Sequence, residues 1–259
     1  IVIGGNFTAV GGLDRLYVAR LNIDGSIDSS FYSGDSSNNY VTSILVLGNQ
    51  EILAGGLFTL FGGLVKNRLV CLFSDGSVDD DFCKQSGANG IIRNVVIQND
   101  QKIIIVGNFS SFNGTVCNNL ARLNTDGTYD TSFNIGVGAN SDVWTALSRN
   151  DGKVLVGGSF TSFNGLSRKY LVRLNSDGSL DNTFYTGPGL NGSVLTMASQ
   201  SDGKLLIGGT FTYFSSTSCN RILRLDSNGV LDATFNVGSG ADGSVLCIRL
   251  QSDGKVIIG

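Results

Sequence analysis

The feature that most constrains this chain is an internal repeat of 51 residues. Five copies follow one another without a gap over residues 1–51, 52–102, 103–153, 154–204 and 205–255, and residues 256–259 begin a sixth. Fixed columns of this alignment hold one residue type, as at Phe7 and Phe31, which are phenylalanine in all five copies. A fixed period of about 20 to 50 residues is typical of repeat architectures. Each copy therefore predicts one supersecondary unit.

The composition favours strands over helices. The chain has 36 Gly and a single Glu, Glu51, while its other acidic residues are all Asp. Gly and Asp are poor helix formers, whereas the 15 Phe and the many β-branched residues favour strands. Residues 194–198, 205–209, 222–225 and 230–235 are short β-prone runs separated by turns and a polar loop. This pattern predicts two hairpins, and hence four strands, in every repeat.

A period near 50 with four strands predicts an all-β fold: a β-propeller with four-stranded antiparallel blades and one blade per 51-residue repeat. The alternative is a β-solenoid, whose coils are usually shorter and lack two tight hairpins per repeat. Because no shift of composition marks a boundary, residues 1–259 are predicted to form a single β-propeller domain or a segment of one. The number of blades stays open between five and six or more, since residues 256–259 start another strand.

The second predicted hairpin of each repeat defines a strand register. In residues 22–26, Gly25 suits the left-handed position of a three-residue loop with a G1 bulge. That register places Arg20 opposite Asp28. The same spacing predicts cross-strand ion pairs in three other repeats: Arg122–Asp130, Arg173–Asp181 and Arg224–Asp232. In the second repeat, Cys71 replaces the arginine and leaves Asp79 without that partner.

Several kinds of chemistry are disfavoured by composition. The chain has no histidine, which excludes Ser-His-Asp and Cys-His nucleophiles and His-ligated metals. Its net charge of −3 indicates no nucleic-acid-binding surface, and no apolar run reaches the ~18 residues of a membrane helix. We expect no catalytic residue, no cofactor and no metal. The Asn-x-Asp-Gly-Ser turns resemble a calcium loop but lack its bidentate Glu, so the turn with an ion pair is favoured and calcium is the open alternative.

The five cysteines do not form a pairing framework. They are Cys71, Cys83, Cys117, Cys219 and Cys247. An odd number leaves at least one free thiol. Cys117 and Cys219 are two periods apart, so they occupy equivalent places in different repeats, too far apart to bridge. The sequence predicts five free thiols and no disulfide.

The loops are where the repeats differ most, which makes them the candidate partner-binding sites. One loop set follows the G-G-x-F strand, and a second includes residues 35–40 and 84–90. Variation on a fixed frame is what a binding surface shows, although loops also drift freely. The candidate contact residues are Asp14, Arg15, Tyr17, Lys66, Asn67, Arg68, Arg168, Lys169 and Tyr170.

The repeat motif resembles that of the delta-60 repeat β-propellers. The pattern runs D-G-K, then G-G-x-F, then A-R-L-N-x-D-G-S-x-D-x-x-F, and stands here as residues 151–153, 157–160 and 173–184. Two repeats depart from it, with Gln50 and Gln101 where the others have a turn glycine. The double glycine after a β-run is also similar to kelch repeats. The resemblance implies a propeller from large secreted or cell-surface bacterial proteins, or from virion proteins of phages, and implies no established activity.

The chain is therefore predicted to be a non-catalytic binding or structural interaction module of a large surface-exposed protein. That protein would be a cell-surface, adhesin-like protein or a phage virion or tail-fibre component. The expected partner is a protein or glycan held by the loops, within a larger chain or assembly and without nucleic acid or membrane insertion. The alternative is a carbohydrate-active enzyme with its site in the axial funnel, which would need two unpaired carboxylates there.

Overall fold

The computed structural model describes residues 1–31, 37–184 and 187–259, and over these residues the chain is all-β. Asp35 and Ser36 of the predicted second loop set lie outside the described residues. None of the described residues belongs to a helix long and apolar enough to cross a membrane. The chain divides into two compact units, Ile1–Asp130 and Thr131–Gly259, each of which is described by itself.

Three main strands recur at fixed places in the repeat. The first strands are β5 (Val41–Val46), β10 (Ile91–Ile97), β15 (Val143–Ser148), β20 (Val194–Ser199) and β25 (Ile248–Leu250). The second strands are β1 (Val2–Gly4), β6 (Ile52–Gly56), β11 (Ile103–Asn108), β16 (Val154–Gly158), β21 (Leu205–Gly209) and β26 (Val256–Ile258). The third strands are β4 (Val18–Arg20), β9 (Leu69–Leu72), β14 (Leu120–Leu123), β19 (Leu171–Leu174) and β24 (Ile222–Leu225).

These strands form antiparallel sheets of one design. The first unit contains the sheets β5-β6-β9 and β10-β11-β14 and the pair β1-β4. The second unit contains β15-β16-β19 and β20-β21-β24 and the pair β25-β26. Every second strand of a three-stranded sheet is buried along most of its length, which explains why these runs are nearly continuous in Ile, Leu and Val. The cores of both units therefore lie along these central strands.

The predicted fourth strand is reduced to one bridge per repeat, so the sheets have three strands rather than the predicted four. The bridges are Leu21–Ile27, Leu72–Val78, Leu123–Tyr129, Leu174–Leu180 and Leu225–Leu231. The ladder ends because the next residue turns the chain. In the first repeat, the Asp28 carboxylate accepts hydrogen bonds from the backbone N–H and hydroxyl of Ser30, and the Phe31 N–H donates to the Asp28 carbonyl. This local turn bends the backbone away from the sheet.

The polar loop after each second strand folds into a small hairpin that the sequence analysis did not include. The hairpins are β2–β3 (Ala9–Val10, Leu13–Asp14), β7–β8 (Leu60–Phe61, Leu64–Val65), β12–β13 (Ser111–Phe112, Thr115–Val116), β17–β18 (Ser162–Phe163, Leu166–Ser167) and β22–β23 (Tyr213–Phe214, Thr217–Ser218). In β12–β13 the two turn residues, Asn113 and Gly114, both have positive φ. That is the type I′ turn, for which Asn-Gly is the strongest sequence signal.

Two phenylalanines anchor the hairpin to the core in the second to fifth repeats, whereas the first repeat has Val10 in the second of these columns. Phe58 follows the second strand of its sheet and Phe61 lies in the hairpin, and both are fully buried. Their rings meet edge to face with centroids 5.3 Å apart, and Phe160 and Phe163 repeat the arrangement at 5.9 Å. Such pairs stabilise a core beyond the area that they bury. The loops are therefore held on a packed base rather than hanging free.

The double glycines at the ends of the second strands leave no room for a side chain. A Cβ on Gly55 would lie 2.8 Å from Ile92 Cγ2, in the neighbouring sheet. A Cβ on Gly209 would lie 2.0 Å from the carbonyl oxygen of Ser193. Close approach of backbone and neighbouring sheets is the usual reason for glycine within a strand. These glycines therefore allow tight packing and need no phosphate ligand to explain them.

We predict that Gly209→Ala destabilises the protein by ~1–3 kcal/mol or more, because backbone must move to admit the methyl group. Gly243→Ala is the matched control in the same unit, since a Cβ there meets nothing within 4 Å and its φ is not positive. Urea unfolding of the two variants measures the difference. Equal stability of Gly209→Ala and Gly243→Ala would contradict the packing argument.

Candidate functional site

The candidate loops end at a residue whose backbone is left-handed in every repeat. This residue precedes the third strand and is Tyr17, Arg68, Asn119, Tyr170 or Arg221, with φ between 66° and 69°. A positive φ is uncommon outside glycine and costs of order 1–3 kcal/mol. At Tyr170 it is fixed from both sides, because its N–H donates to the Phe160 carbonyl and its own carbonyl accepts from Gly158. The backbone conformation at this position is therefore constant among the repeats, while the side chain that it carries varies.

In the first repeat, the candidate residues lie on an open hairpin. Asp14 is exposed, Arg15 and Tyr17 are half-buried, and the Arg15 guanidinium donates to the Asp14 carbonyl at 2.8 Å. The Arg15 charge has no carboxylate partner among the described residues. These three side chains are accessible to a partner.

In the second repeat, the candidate residues serve the fold. Lys66 is only 4% exposed, and its ammonium lies 3.3 Å from the Phe82 carbonyl and 3.1 Å from the Asp80 carboxylate. Asn67 donates through its side chain to the Ser86 carbonyl at 2.8 Å. The Arg68 guanidinium donates to the carbonyls of the G-G-x-F strand end, including Phe58 at 3.2 Å. The predicted contact residue Lys66 is therefore enclosed in this structure.

In the fourth repeat, two of the three candidate residues line a groove of about 290 Å³. Arg168 and Lys169 stand at its rim, and Arg173, Asp181 and Phe184 line its interior. The equivalent groove of the fifth repeat measures about 250 Å³ and has Cys219 in place of Arg168. The structure thus brings two of the sequence-predicted cations together beside a cavity.

The second loop set is tethered by an asparagine column that the sequence analysis missed. The column is Asn38, Asn89, Asn140 and Asn191. The Asn89 side-chain carbonyl accepts hydrogen bonds from the N–H groups of Ser110 and Ser111, and its amide donates to the Ser110 hydroxyl at 2.8 Å. The other three make the same bonds. A constant Asn at a spacing of 51 was the signal that could have found this tether.

The four Arg–Asp pairs lie where the hairpin register places them. The arginine Nε is 2.7 Å from the carboxylate in Arg20–Asp28, Arg122–Asp130 and Arg173–Asp181, and 2.9 Å in Arg224–Asp232. The guanidinium also covers the Phe ring that closes the repeat, as in Arg173 over Phe184 at 4.7 Å. Hydrogen bonds from Ser30 and then Arg20 lower the pKa of Asp28 to about 2.

A lysine joins three of these pairs, which the sequence analysis did not foresee. Its ammonium lies 2.6–2.9 Å from the same carboxylate oxygen in Lys102–Asp130, Lys153–Asp181 and Lys204–Asp232. Burial alone raises the pKa of Asp181, but hydrogen bonds from Lys153, Thr183 and Arg173 hold it well below its usual range. The lysine occupies the last position of the D-G-K motif, which reads D-Q-K at Lys102, so its recurrence one period apart was the available signal.

The second repeat has lost both cations of this cluster. Glu51 stands in the lysine column and Cys71 in the arginine column, and the Cys71 thiol lies 3.8 Å from a Glu51 carboxylate oxygen. Asp79 instead accepts backbone hydrogen bonds from Asp81 and Phe82. Its carboxylate therefore caps the local turn without a cation in its own hairpin.

The Asn-x-Asp-Gly-Ser turns use their oxygens internally. The Asp24 carboxylate accepts the backbone N–H and the hydroxyl of Ser26, at 2.9 and 2.6 Å, and these bonds lower the pKa of Asp24. The Asn22 amide donates to the Ser26 hydroxyl. Over residues 1–31, 37–184 and 187–259, no cluster of three or more His, Cys, Asp or Glu side chains is arranged to hold a metal.

All five cysteines are free thiols, and four of them are buried. Burial, followed by the charge of Glu51, raises the pKa of Cys71 to about 12. Burial also raises the pKa of Cys117 and of Cys219 to about 11. The thiolate is the nucleophile of cysteine chemistry, so these buried thiols are unreactive near neutral pH. Cys247 is exposed.

A comparison with protein families matches the one described as "Domain of unknown function (DUF5122) beta-propeller". The match covers residues 1–31, 51–82, 98–133, 149–184 and 200–235. The comparison with curated proteins found no significant match.

Three solved structures share the fold at low sequence identity. A gluconolactonase from Xanthomonas campestris is 13% identical with a TM-score of 0.57, over 93% of this chain and 75% of that one. PorZ, a bacterial surface component of the type-IX secretion system of Porphyromonas gingivalis, is 14% identical with a TM-score of 0.56, over 91% and 34%. The extracellular domain of BT4673 from B. thetaiotaomicron is 10% identical with a TM-score of 0.51, over 85% and 28%. At such identities the likeness concerns the fold alone.

The ion-pair cluster gives a matched test within the first unit. We expect Asp130→Ala to cost ~3–5 kcal/mol, because it leaves the buried Arg122 and Lys102 without their shared carboxylate. We expect Asp79→Ala to cost about 1 kcal/mol, because only hydrogen bonds to backbone are lost. Thermal melts compare the two. If both substitutions destabilise equally, the aspartate column acts only through local capping.

From the burial of the cysteines we predict that their thiols react with Ellman's reagent in two steps. At pH 8 in the native state, Ellman's reagent should react quickly with one thiol, Cys247, because the other four are buried. In denaturant without reductant, the count should rise to five. A denatured count of three would reveal a disulfide, and rapid native reaction of more than one thiol would contradict the burial described.

Proposed function

The chain belongs to the β-propeller family that its five repeats match, and from this premise we propose that it is a non-catalytic binding or structural interaction module of a large surface-exposed protein. Within that family we assign the repeats to the delta-60 type, on the D-G-K and G-G-x-F motifs. The propeller scaffold presents loops, and the loops hold the partner. The partner is a protein or a glycan, without nucleic acid or insertion into a membrane.

One observation carries this proposal: the loop backbone is constant and its side chains are not. The left-handed residue before the third strand keeps φ within 66–69° in five repeats. Its side chain changes from Tyr17 to Arg68 to Asn119. A residue chosen for the strained backbone alone would favour Gly or Asn. Arginine at this position donates to backbone carbonyls of its own repeat, as at Arg68, whereas tyrosine, as at Tyr17 and Tyr170, is a residue type that dominates binding energy at interfaces.

The proposed location is outside the cell, as part of a cell-surface, adhesin-like protein or of a phage virion or tail fibre. Two of the fold neighbours support a surface role by their own descriptions, PorZ as a surface component and BT4673 through its extracellular domain. The repeat resemblance supports the same location. The four buried thiols are compatible with it, because burial shields them from oxidation.

The alternative function is a carbohydrate-active enzyme with its site in the axial funnel. The fold neighbour that is a gluconolactonase is the observation in its favour. Glycoside hydrolysis requires two carboxylates about 5–9.5 Å apart. The carboxylates of Asp130, Asp181 and Asp232 are instead each paired with an Arg and a Lys. Assays for lactone and glycoside hydrolysis by the full chain separate the alternative from the proposal.

The chain supplies its own conservative loop variants. We predict that Tyr17→Asn and Tyr170→Asn weaken partner binding by about tenfold or more, while each costs roughly 0.5–3 kcal/mol of stability, because both rings pack against buried core residues. Asn is the residue that the third repeat carries at this left-handed position, so the backbone is preserved. Glycan and protein arrays identify the partner, and melting curves record stability.

The matched control is Ile23→Ser at the exposed tip of another turn, where the second repeat has serine. We expect it to leave binding unchanged. The loop proposal would be overturned if no loop substitution changed the affinity for the partner and the interface covered the outward faces of the strands.

A further inference from the structure

The fourth repeat differs from the second in whether its loop cation has an acidic partner. In the second repeat, the loop cation Lys66 lies at the position equivalent to the groove of the fourth repeat and pairs with Asp80. Two repeats later, Arg168 stands in the column of Lys66 and Asn182 in the column of Asp80. The fourth repeat therefore keeps the cation but has an amide in place of the carboxylate. The second repeat therefore shows which group the fourth one lacks.

The fourth repeat leaves its loop cations unneutralised. The Arg168 guanidinium donates to the carbonyl of its neighbour Ser167 at 3.1 Å, and Lys169 is exposed beside it. Neither forms an ion pair with any described residue. The acid that lines the groove, Asp181, is already engaged by Arg173 and Lys153 at 2.7 and 2.6 Å. The rim of the groove therefore carries positive charge in excess.

The interior of the groove has the size and surface of a small subsite. Its volume is about 290 Å³, at the lower end for ligand pockets. Its lining is more polar than apolar: Arg173 and Asp181 line it together with the apolar side chains of Leu180 and Phe184. This combination suits a compact ring that bears one carboxylate. An acidic peptide would need a longer groove or a free strand edge, whereas β19 is paired with β16 on one side and bridged to Leu180 on the other.

Resting on the proposed function, we propose that this groove is a subsite for an acidic sugar, a uronate whose carboxylate takes the place that Asp80 holds in the second repeat. Arg168 donates to the carboxylate as a planar fork, the geometry that suits carboxylates best. Lys169 adds a second charge at the rim. The ring of the sugar lies against Leu180, within the groove.

The experiment titrates the full chain with D-galacturonate and with D-galactose as the neutral match, followed by NMR or calorimetry. We expect galacturonate to bind at least tenfold more tightly than galactose, and rising salt to weaken its binding. Arg168→Gln should weaken galacturonate binding by roughly tenfold or more, the loss of one charge-assisted hydrogen bond. Lys255→Gln removes an exposed cation elsewhere in the same unit and should leave the affinity within about twofold.

Asn182→Asp is the sharper variant, because it keeps both cations. It restores the acid that the second repeat has, so Arg168 should pair with it and galacturonate should be excluded while the protein stays as stable as before. Unchanged galacturonate affinity in Arg168→Gln or Asn182→Asp would overturn the subsite. Equal binding of galactose, or binding of an oligo-aspartate peptide instead of the sugar, would overturn the assignment to an acidic sugar.

Failure of this subsite is distinguishable from failure of the proposed function. If arrays find a partner that depends on Tyr17 or Tyr170 but galacturonate does not bind, the subsite is wrong and the loop proposal stands. If no loop substitution affects any partner, both are wrong.

Discussion

Close packing between neighbouring sheets is the constraint on which each unit depends. In three of the four three-stranded sheets the second strand ends in two glycines, and a Cβ on either would collide with the adjacent sheet or with backbone. Gly157 is an example, since its Cβ would lie 2.5 Å from Val194 Cγ1 in the next first strand. Because interiors are packed as densely as organic crystals, this spacing sets the position of every loop that leaves the strand end.

A second constraint acts, in the first, third, fourth and fifth repeats, at the hairpin that follows the third strand. A single Asp there caps a backbone turn and accepts a hydrogen bond from an arginine of the third strand. In three repeats it also accepts a hydrogen bond from a lysine of the preceding turn. The arginine in turn covers a phenylalanine. One carboxylate thereby joins two strands, a turn and a core aromatic. Such a shared group is costly to remove because its partners would remain buried and charged.

Because these two constraints hold the scaffold in place, the side chains of the loops are free to differ among the repeats. With its base packed by a phenylalanine pair and its exit fixed in a left-handed conformation, the loop can change side chains without changing its path. The second repeat uses this freedom to enclose Lys66 with Asp80, and the fourth uses it to leave Arg168 and Lys169 at an open groove. One scaffold thus produces both a structural ion pair and a candidate binding site.

The sequence by itself determined the features that are local or periodic. The 51-residue spacing and the strand-forming runs specified an all-β repeat, and the Asn-x-Asp-Gly turns placed Arg20 beside Asp28, because a tight turn fixes the register of its strands. The Asn113-Gly114 pair carried the signal for the extra hairpin as well. The tertiary structure decided what depends on burial and on contacts distant in the chain. It enclosed Lys66 while leaving Arg168 open, although both occupy one column, because Asp80 is present in one repeat and absent in the other. It also ended the fourth strand after one bridge, because the aspartate side chain competes with the ladder for the backbone N–H groups.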